Sequence, residues 1–324
     1  MLLAPVLAPP AARAAFFDHG PVVNVTEEND FVNGTDRWYS EGTQISYLQA
    51  DNDVPRWTEN LLRKIPSGFR KQRQPDRLRT WPEHFHLANT HTSALQFDDR
   101  PYAGWLYGGL ILQRRGSGAG GFPTLESLRL ELGIIGPESF ADNLQTWYHD
   151  HAPQGWKHQL QDEPAIALRY GRAWLLSLPA TDQRYFDFIP HVGLSAGNVD
   201  TSFRAGATLR VGWHLPDDFG SQPIQSLLIA DGGWSPSEEG RRWGFYVFTG
   251  AEGSAVLYTA FLDGNAFRDS HHVDKESFVG EWRSGLALIF NRVELIYTHL
   301  FRTRDFRKQP EGQVYGSLSL RVKF

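Results

Sequence analysis

The 324-residue chain contains no cysteine, and no apolar run in it approaches the roughly 20 residues that a helical membrane span needs. The lack of cysteine excludes a disulfide framework, a thiolate metal site and thiol catalysis. The lack of a long apolar run excludes an inner-membrane helical protein, whereas β-strands can cross a membrane with only every second residue apolar. The formal net charge of −5 argues against general nucleic-acid binding.

Aromatic residues, in contrast, are abundant, with 11 Trp, 11 Tyr and 21 Phe. Such a content suits the aromatic girdles at the two edges of a transmembrane barrel. A carbohydrate-binding sandwich would also be rich in aromatic residues, so the composition leaves both folds open. The chain shows no internal repeat, and its length is compatible with one all-β domain.

Alternation of apolar and polar residues with a period of two dominates the chain from about residue 20 onward, as in 128–134 and 203–213. Charged residues at inward positions, such as Arg129 and Arg204, suit the wet lumen of a barrel better than a dry sandwich core. The segment 137–162 is long enough to hold a helix, and 241–262 is long enough for two strands. The pattern predicts an all-β fold, an antiparallel transmembrane β-barrel of about 12 strands with a short helix in an outer loop. The candidate strands lie near 22–30, 37–49, 84–97, 102–114, 124–136, 163–177, 184–197, 201–214, 241–262, 278–290, 292–303 and 312–324.

The C-terminal strand carries the most specific signal. Its apolar residues alternate with Tyr, Ser, Arg and Lys, and the chain ends on Phe324. A terminal strand with a final Phe resembles the signal that the outer-membrane assembly machinery recognises, so we expect that machinery to be a partner. The alternative is an ordinary amphipathic edge strand, which would need another cover for its apolar face. The apolar set is Val314, Gly316, Leu318, Leu320, Val322 and Phe324.

The N-terminus is an apolar run with a small-x-small cleavage pattern at residues 12–14. We expect 1–14 to be a signal peptide, truncated at its start because the basic n-region is missing, and 15–324 to be a single outer-membrane β-barrel domain. A disordered Ala/Pro tail is the alternative. Both termini of such a barrel face the periplasm, so the connections at 30–37, 98–102 and 137–162 should emerge together on the outer face.

Two of these connections hold oxygen-rich or basic clusters. The first begins with Glu28-Asn29-Asp30 and can supply the carboxylate and carbonyl oxygens that calcium prefers, although a solvated turn capped by Asn and Asp explains it equally. The second contains Arg100, whose planar guanidinium suits a phosphate or carboxylate. A strand-opening Pro and an aromatic belt explain that cluster without a function.

The third connection holds His149, His151 and His158, followed by Glu163. A histidine beside carboxylates can act as a general base, and several imidazoles together can bind zinc. A single histidine is more often an ordinary surface residue, so the signal lies in their grouping. A separate basic stretch at 63–79 suits either anionic headgroups or a flexible solvated loop.

Taken together, these motifs resemble the LpxR family of lipid A 3'-O-deacylases. The resemblance runs in order from about residue 27 to 165, and the second half of the chain agrees only in barrel character. It implies a twelve-stranded outer-membrane barrel that removes an ester-linked acyloxyacyl chain from lipid A/LPS in the outer leaflet, with Ca2+ as electrophile and a histidine as base. The motifs are Glu-Asn-Asp-Phe at 28–31, Thr-Asp-Arg-Trp-Tyr-Ser-x-Gly at 35–42, Asp-Asp-Arg-Pro-Tyr-Ala-Gly-Trp at 98–105, Gly-x-Ile-Gly-Pro-x-Ser at 133–139, and Gln-x-x-x-His at 145–149 with Glu-Pro at 163–164.

The resemblance also implies roles for individual residues. His149 occupies the position of the family's histidine, with His151 and His158 as alternatives for the base. Asn29 and Asp30 would form the metal and oxyanion site. The remaining assignments are Ser40 as the hydroxyl residue, where many relatives carry Thr, Glu163 as a metal ligand or His-orienting carboxylate, and Arg100 as a contact to the lipid A backbone or its phosphate.

Two functions without catalysis remain as alternatives. A small outer-membrane porin or receptor barrel would use the inward charges to line a channel, and it would conduct ions. An adhesin or structural barrel would neither conduct nor hydrolyse. The fold alone does not separate these functions, because function belongs to the site and not to the barrel.

Overall fold

The computed structural model describes residues 21–30, 38, 41–49, 72–73, 76–80, 83–85, 94–118, 121–148, 154–177, 185–228 and 242–324. Among these residues, two helices, α1 (Ala141–Tyr148) and α2 (Ala260–Asp263), and two 3-10 turns, Pro137–Ser139 and Gln154–His158, lie in the connections. None of the described helices is long and apolar enough to cross a membrane. The strands are β1 (Val22–Asn29), β2 (Glu41–Leu48), β3 (Gln72–Arg73), β4 (Asp76–Thr80), β5 (Glu83–Phe85), β6 (Ala103–Ser117), β7 (Pro123–Ile135), β8 (Glu163–Trp174), β9 (Leu176–Ser177), β10 (Phe186–Gly197), β11 (Asp200–Trp213), β12 (Trp243–Thr259), β13 (Phe278–Phe290), β14 (Val293–Arg302) and β15 (Gln313–Lys323).

The strands pair antiparallel around a closed ring. Strands at successive positions of the wall pair with each other, and β1 pairs with both β2 and β15, with Val22 opposite Lys323. The short strands β3–β5 together fill one position between β2 and β6, and β9 continues β8 along β10. The prediction of an all-β barrel of about 12 antiparallel strands is confirmed, as is the short helix, α1, in a connection.

The two ends of the barrel differ. The end at which β1 begins and β15 finishes is called the terminal end here, and the opposite end, where β1 leads into β2, is called the loop end. The described parts of the connections at 30–40, 86–102, 136–162, 260–277 and 303–312 lie at the loop end, because each connection follows a strand that runs away from the terminal end.

Side chains alternate between the two faces of the wall, as a period of two requires. Outward positions are apolar, for example Leu132 at 52% exposed and Phe203 at 52% exposed. Inward positions carry buried charges that pair across strands. The Glu131 carboxylate forms an ion pair at 2.9 Å with Arg129 of its own strand and another at 3.0 Å with Arg169 of the neighbouring strand β8. The expected pattern of an apolar exterior and a charged interior is therefore present.

The sequence prediction was wrong for the third strand position of the wall, the one between β2 and β6. A strand was expected at 84–97, but the structure has β3, β4 and β5 between residues 72 and 85, and residues 94–100 form turns. The basic stretch at 63–79, interpreted as either a contact for anionic headgroups or a solvated loop, contributes β3 and part of β4 to the wall, because a short charged segment suits a barrel strand as well as a loop. The segment 241–262 holds one strand, β12. The expected signal peptide at 1–14 lies outside the described residues.

A connecting segment fills part of the lumen. Residues 214–228, which follow β11 at the terminal end, are called the plug here. Apolar side chains of the plug are buried against the wall, including Phe219 at 4% exposed and Leu228 at 1% exposed. Leu227 approaches the wall so closely at Gly193 that a Cβ there would lie 2.7 Å from it. The wall is thus shaped around the plug.

Charged wall residues fix the plug at both its ends. At the terminal end, Asp218 pairs with Arg210 and with Arg321, the latter at 2.9 Å. Further along the lumen, the carbonyl oxygen of Gln225 accepts a hydrogen bond from Arg204 at 2.8 Å. Arg204 and Arg210 are six residues apart on β11, which corresponds to about 20 Å along a strand. The plug therefore extends from the terminal end toward the loop end.

Candidate functional site

The first predicted cluster lies where β1 ends. Asn29 is the last residue of β1, and Asp30 follows it with 2% of its surface exposed. The register places Asn29 opposite Glu41, the first residue of β2, so the two side chains point to the same face of the wall. Two residues earlier on that face, Thr43 donates a 2.6 Å hydrogen bond to Glu27. Oxygen atoms therefore concentrate on this part of the loop end, as the sequence predicted.

The connection between β1 and β2 is anchored by Trp38. This residue adopts a left-handed backbone conformation with φ of 62° and is 3% exposed. Its ring packs with Leu262 and Phe306, which belong to two other connections at the loop end. The motif that contains Trp38 was recognised in the sequence, but this packing was not, because its partners lie more than 200 residues away.

Helix α1 is held in place by buried contacts on two sides. Trp156 donates a 2.6 Å hydrogen bond from its indole nitrogen to Gln145, which is 1% exposed. The Trp156 ring also lies 5.0 Å from the ring of Tyr102. Ala141 packs so closely on β6 that a Cβ at Gly104 would lie 2.3 Å from the Ala141 Cβ. The end of α1 is thereby fixed relative to the wall.

The predicted base follows α1 directly in the sequence. His149 and His151 lie outside the described residues, as does Ser40. His158 ends the 3-10 turn that contains Trp156, and it is partly exposed. In the sequence, Gln145 was visible only as part of a motif, whereas the structure shows that its side chain accepts a hydrogen bond from Trp156.

Glu163 faces inward at the start of β8 and is 1% exposed. Its carboxylate accepts hydrogen bonds from the backbone N–H groups of Ala266 at 3.0 Å and Phe267 at 3.1 Å. Asn198 donates a third from its side-chain amide at 3.1 Å. Three donors compensate the burial of this charge. Glu163 thus ties the connection after β12 to the rim of the wall.

Arg100 is buried at 3% exposed and faces Asp305, with 3.7 Å between the guanidinium and the carboxylate. Arg302 donates to the other oxygen of Asp305 at 2.8 Å. Burial lowers the pKa of Arg100 from its usual value, and the charges of Asp305 and Asp99 oppose that effect. The Arg100 side chain thus lies in an ion pair between two connections, and its contact with the lipid A backbone or phosphate stays a prediction.

The segment before β6 touches two further connections. Lys308 forms an exposed ion pair with Asp98, whose hydrogen bond raises the pKa of the lysine. The His271 ring lies 2.8 Å from the carbonyl oxygen of Asp99. Sequence reasoning did not find Asp305, Lys308 or His271, because nothing in their local pattern distinguishes them from other loop residues.

The structure brings some predicted residues together and keeps others apart. Asn29 and Asp30 lie side by side at the end of β1. Glu163 begins β8, and β2, the β3–β5 position, β6 and β7 separate it from β1 around the wall. Arg100 is tied to the connection before β15. The two predicted metal ligands, Asp30 and Glu163, therefore come from different sides of the barrel.

The donor set at the end of β1 has the chemistry of a hard-cation site. Asn29, Asp30 and Glu41 offer amide and carboxylate oxygens, the ligand type that calcium prefers. Within the described part of the chain, no three His, Asp or Glu side chains converge as a metal cluster. A calcium site there fits the donor types, and the assignments of Asp30 and Glu163 as metal ligands stay predictions.

Comparisons with known proteins agree with this architecture. The family model described as outer membrane protein LpxR matches residues 1–324. The structure is similar to that of LpxR from Salmonella typhimurium, with a TM-score of 0.71 and 17% identity over 94% of this chain and 100% of that one. At that identity the similarity shows the fold alone. The β domain of the Bordetella autotransporter Brka is a more distant match, with a TM-score of 0.48 and 11% identity over 95% of this chain and 100% of that chain. No curated protein matches the chain.

Proposed function

Because the chain belongs to the LpxR family of outer-membrane proteins, we propose that this barrel is a lipid A deacylase. The reaction is hydrolysis of the 3'-O-linked acyloxyacyl ester of lipid A/LPS, in which water is consumed and the acyloxyacyl carboxylic acid and the 3'-hydroxyl of the sugar are released. The observation that best supports the proposal is that the motifs, which are spread along the sequence, come together at one end of the barrel. There, the Asn-Asp pair lies at the end of β1 and the Gln-x-x-x-His motif begins in helix α1, on the buried residue Gln145.

Position at the loop end suits a lipid substrate. Asn29 alternates with the inward residue Glu28 and therefore faces outward at the end of β1. Lipid A lies in the outer leaflet, so its ester would approach the wall laterally near this end. A site on the wall needs no pocket in the lumen, and the acyl chains would stay in contact with the apolar exterior.

His149 is the proposed base. It would take a proton from the attacking water and return it to the departing sugar oxygen, so that the ester C–O bond breaks without a free alkoxide. The bond between Gln145 and Trp156 supports this role, since it fixes the helix that ends one residue before His149. His151 and His158 are the alternative bases, and substitution distinguishes the three.

Asn29, Asp30 and Ser40 are the proposed partners of the base. The Asn29 amide can donate a hydrogen bond to the ester carbonyl oxygen, where negative charge develops during attack. The Ser40 hydroxyl would orient the ester or the water. Asp30 would hold Ca2+, which when bound draws charge from the carbonyl oxygen. The metal and the catalytic assignments are parts of the proposal.

Glu163 and Arg100 receive supporting roles in this proposal. The Glu163 carboxylate already accepts three hydrogen bonds from neighbouring connections, which favours positioning over metal binding. Arg100 is buried beside Asp305, which favours a tie between two connections over direct contact with a lipid phosphate. Both residues would shape the loop end without touching the ester.

The porin alternative receives less support from the lumen. An open channel would need a continuous wet path, whereas the plug carries buried apolar residues and ion pairs along about 20 Å of the wall. Inward arginines that would line a channel instead donate to the plug. The interior charges therefore have an explanation that does not involve conduction.

The proposal is tested by incubating the folded protein in detergent with purified lipid A, in calcium and in excess chelator. We expect mass spectrometry to detect the loss of one acyloxyacyl unit in calcium and no loss in chelator. Unchanged lipid A in calcium, from protein whose unheated gel mobility proves that it is folded, would contradict the proposal.

A further inference from the structure

The plug ends close to the proposed catalytic residues. Glu28, the neighbour of Asn29, points inward and is fully buried at 0% exposed. Its carboxylate accepts a 2.9 Å hydrogen bond from the backbone N–H of Ile224, at the tip of the plug. The two residues are 196 positions apart in the sequence. A segment that enters from the terminal end thus contacts the wall one residue before the proposed site.

We propose that the tip of the plug positions the end of β1 through Glu28, and that the plug is therefore a working part of the catalytic site. This inference rests on the proposed function for its effect on activity. Glu28 itself faces the lumen and would not touch the substrate, so it acts as a positioning residue through Asn29 and Asp30.

The tip is itself held firmly enough to serve as a support. The Gln225 carbonyl oxygen accepts from Arg204 at 2.8 Å and from Arg169 at 3.4 Å. The Ser226 carbonyl oxygen accepts from Arg129 at 2.7 Å. These three arginines belong to three different strands, β11, β8 and β7. The position of the Ile224 N–H is consequently set by the far side of the barrel.

The bond to Glu28 matters because the carboxylate is deeply buried. Without this carboxylate the buried Ile224 N–H loses an acceptor, and the inner side of β1 loses its contact with the plug. Loss of that contact would let the backbone shift at the last residues of β1, and Asn29 and Asp30 would shift with it. Displacement of catalytic groups by about 1 Å can lower a rate about 100-fold.

Thr26 provides a matched control on the same strand. It is the preceding inward residue of β1, is 1% exposed, and lies 2.9 Å from the Ser319 hydroxyl of β15. Thr26→Val removes two buried hydrogen bonds from the same face of the same strand, one with Ser319 and one donated by Asn24, and both join wall residues only. A general loss of β1 packing would affect both variants, whereas loss of the support from the plug would affect only the Glu28 variant.

The experiment measures lipid A hydrolysis by wild type, Glu28→Ala, Glu28→Gln and Thr26→Val, each shown to be folded by its gel mobility without heating. We expect Glu28→Ala to lower kcat about 10- to 100-fold with KM changed less than about 2-fold. Glu28→Gln retains an amide oxygen that can accept from Ile224, so it should recover most of kcat. Thr26→Val should behave as wild type.

Hydrogen exchange provides the readout that does not depend on activity. The backbone amides of 27–30 should exchange at least about 10-fold faster in Glu28→Ala than in Thr26→Val, because the end of β1 loses its inner support. Faster exchange combined with an inactive wild type would refute the proposed function and leave the support by the plug intact. Equal exchange in the two variants, or an active Glu28→Ala with unchanged kcat, would overturn the positioning role.

Discussion

Replacing Asp218 by Asn should loosen the plug, because this carboxylate joins the base of the plug to two buried arginines of the wall. Asp218 and Arg210 are both 0% exposed and form a direct ion pair. Arg321 adds a second pair at 2.9 Å, and the Gly220 N–H donates to the same carboxylate at 3.1 Å. The substitution keeps the shape of the side chain and removes its charge.

The size of the effect follows from the charges. Burial acts to raise the pKa of Asp218, but Arg210 and Arg321 outweigh burial and hold the pKa at about 2. A shift of about two pKa units below the usual value corresponds to about 2–3 kcal/mol, and loss of one partner from a buried pair costs about 3–5 kcal/mol. In the variant, Arg210 still pairs with Asp187 at 2.7 Å and Arg321 still pairs with Glu294 at 2.7 Å. We therefore expect the free energy that holds the plug in its docked position to fall by about 3 kcal/mol. That is about a 100-fold rise in the undocked population of the plug.

Conductance across a planar bilayer is the assay. Wild type should show no conductance, and Asp218→Asn should show intermittent channel openings. Asp217→Asn is the control, because it removes the same charge from the adjacent residue, and it should show no conductance. Because the pKa of Asp218 is lowered by folding, its stabilisation is complete above about pH 4 and is lost as the pH falls toward 2. Wild type should therefore begin to open only in that acidic range. A silent Asp218→Asn at neutral pH would refute the reasoning.

Three further predictions concern the loop end and the assembly of the barrel. Gln145→Leu leaves the buried Trp156 indole N–H without its acceptor, at a cost of about 1–3 kcal/mol, and we expect kcat on lipid A to fall at least about 10-fold, with Gln154→Leu as the control. Glu163→Gln should lower thermal stability because one acceptor is lost for the N–H groups of Ala266 and Phe267, while the calcium concentration for half-maximal activity stays within about 2-fold; a large rise would make Glu163 a metal ligand. Deletion of Phe324, which is 62% exposed, should reduce the amount of folded barrel in the outer membrane, measured by unheated gel mobility, and an unchanged yield would remove Phe324 from the assembly signal.

Alternation in the sequence was sufficient to predict the wall but not its third position. Strands β6 to β15 follow the expected ranges closely, because each has a clear apolar face. The third position is filled by β3–β5, which lie in and just after a basic stretch. In such a stretch, a charged barrel strand and a solvated loop have the same local sequence pattern. The strand was expected at 84–97, whereas residues 94–100 form turns before β6.

The plug and the ties between connections could not be predicted from local pattern. Residues 214–228 contain Pro, Asp and Gly and look like an ordinary loop, and their burial depends on arginines from strands far away in the sequence. The motif residues were found because they cluster in the chain. Asp305 and Ile224 were missed because their partners, Arg100 and Glu28, lie about 200 residues away.

The most direct test of the central claim is the mass of lipid A after treatment with wild type and with His149→Ala, His151→Ala and His158→Ala in calcium. We expect wild type and the His151 and His158 variants to remove one acyloxyacyl unit, and His149→Ala to leave lipid A intact although it is folded. Removal of the unit by His149→Ala at the wild-type rate would contradict the assigned base, and intact lipid A with all four proteins would contradict the deacylase itself.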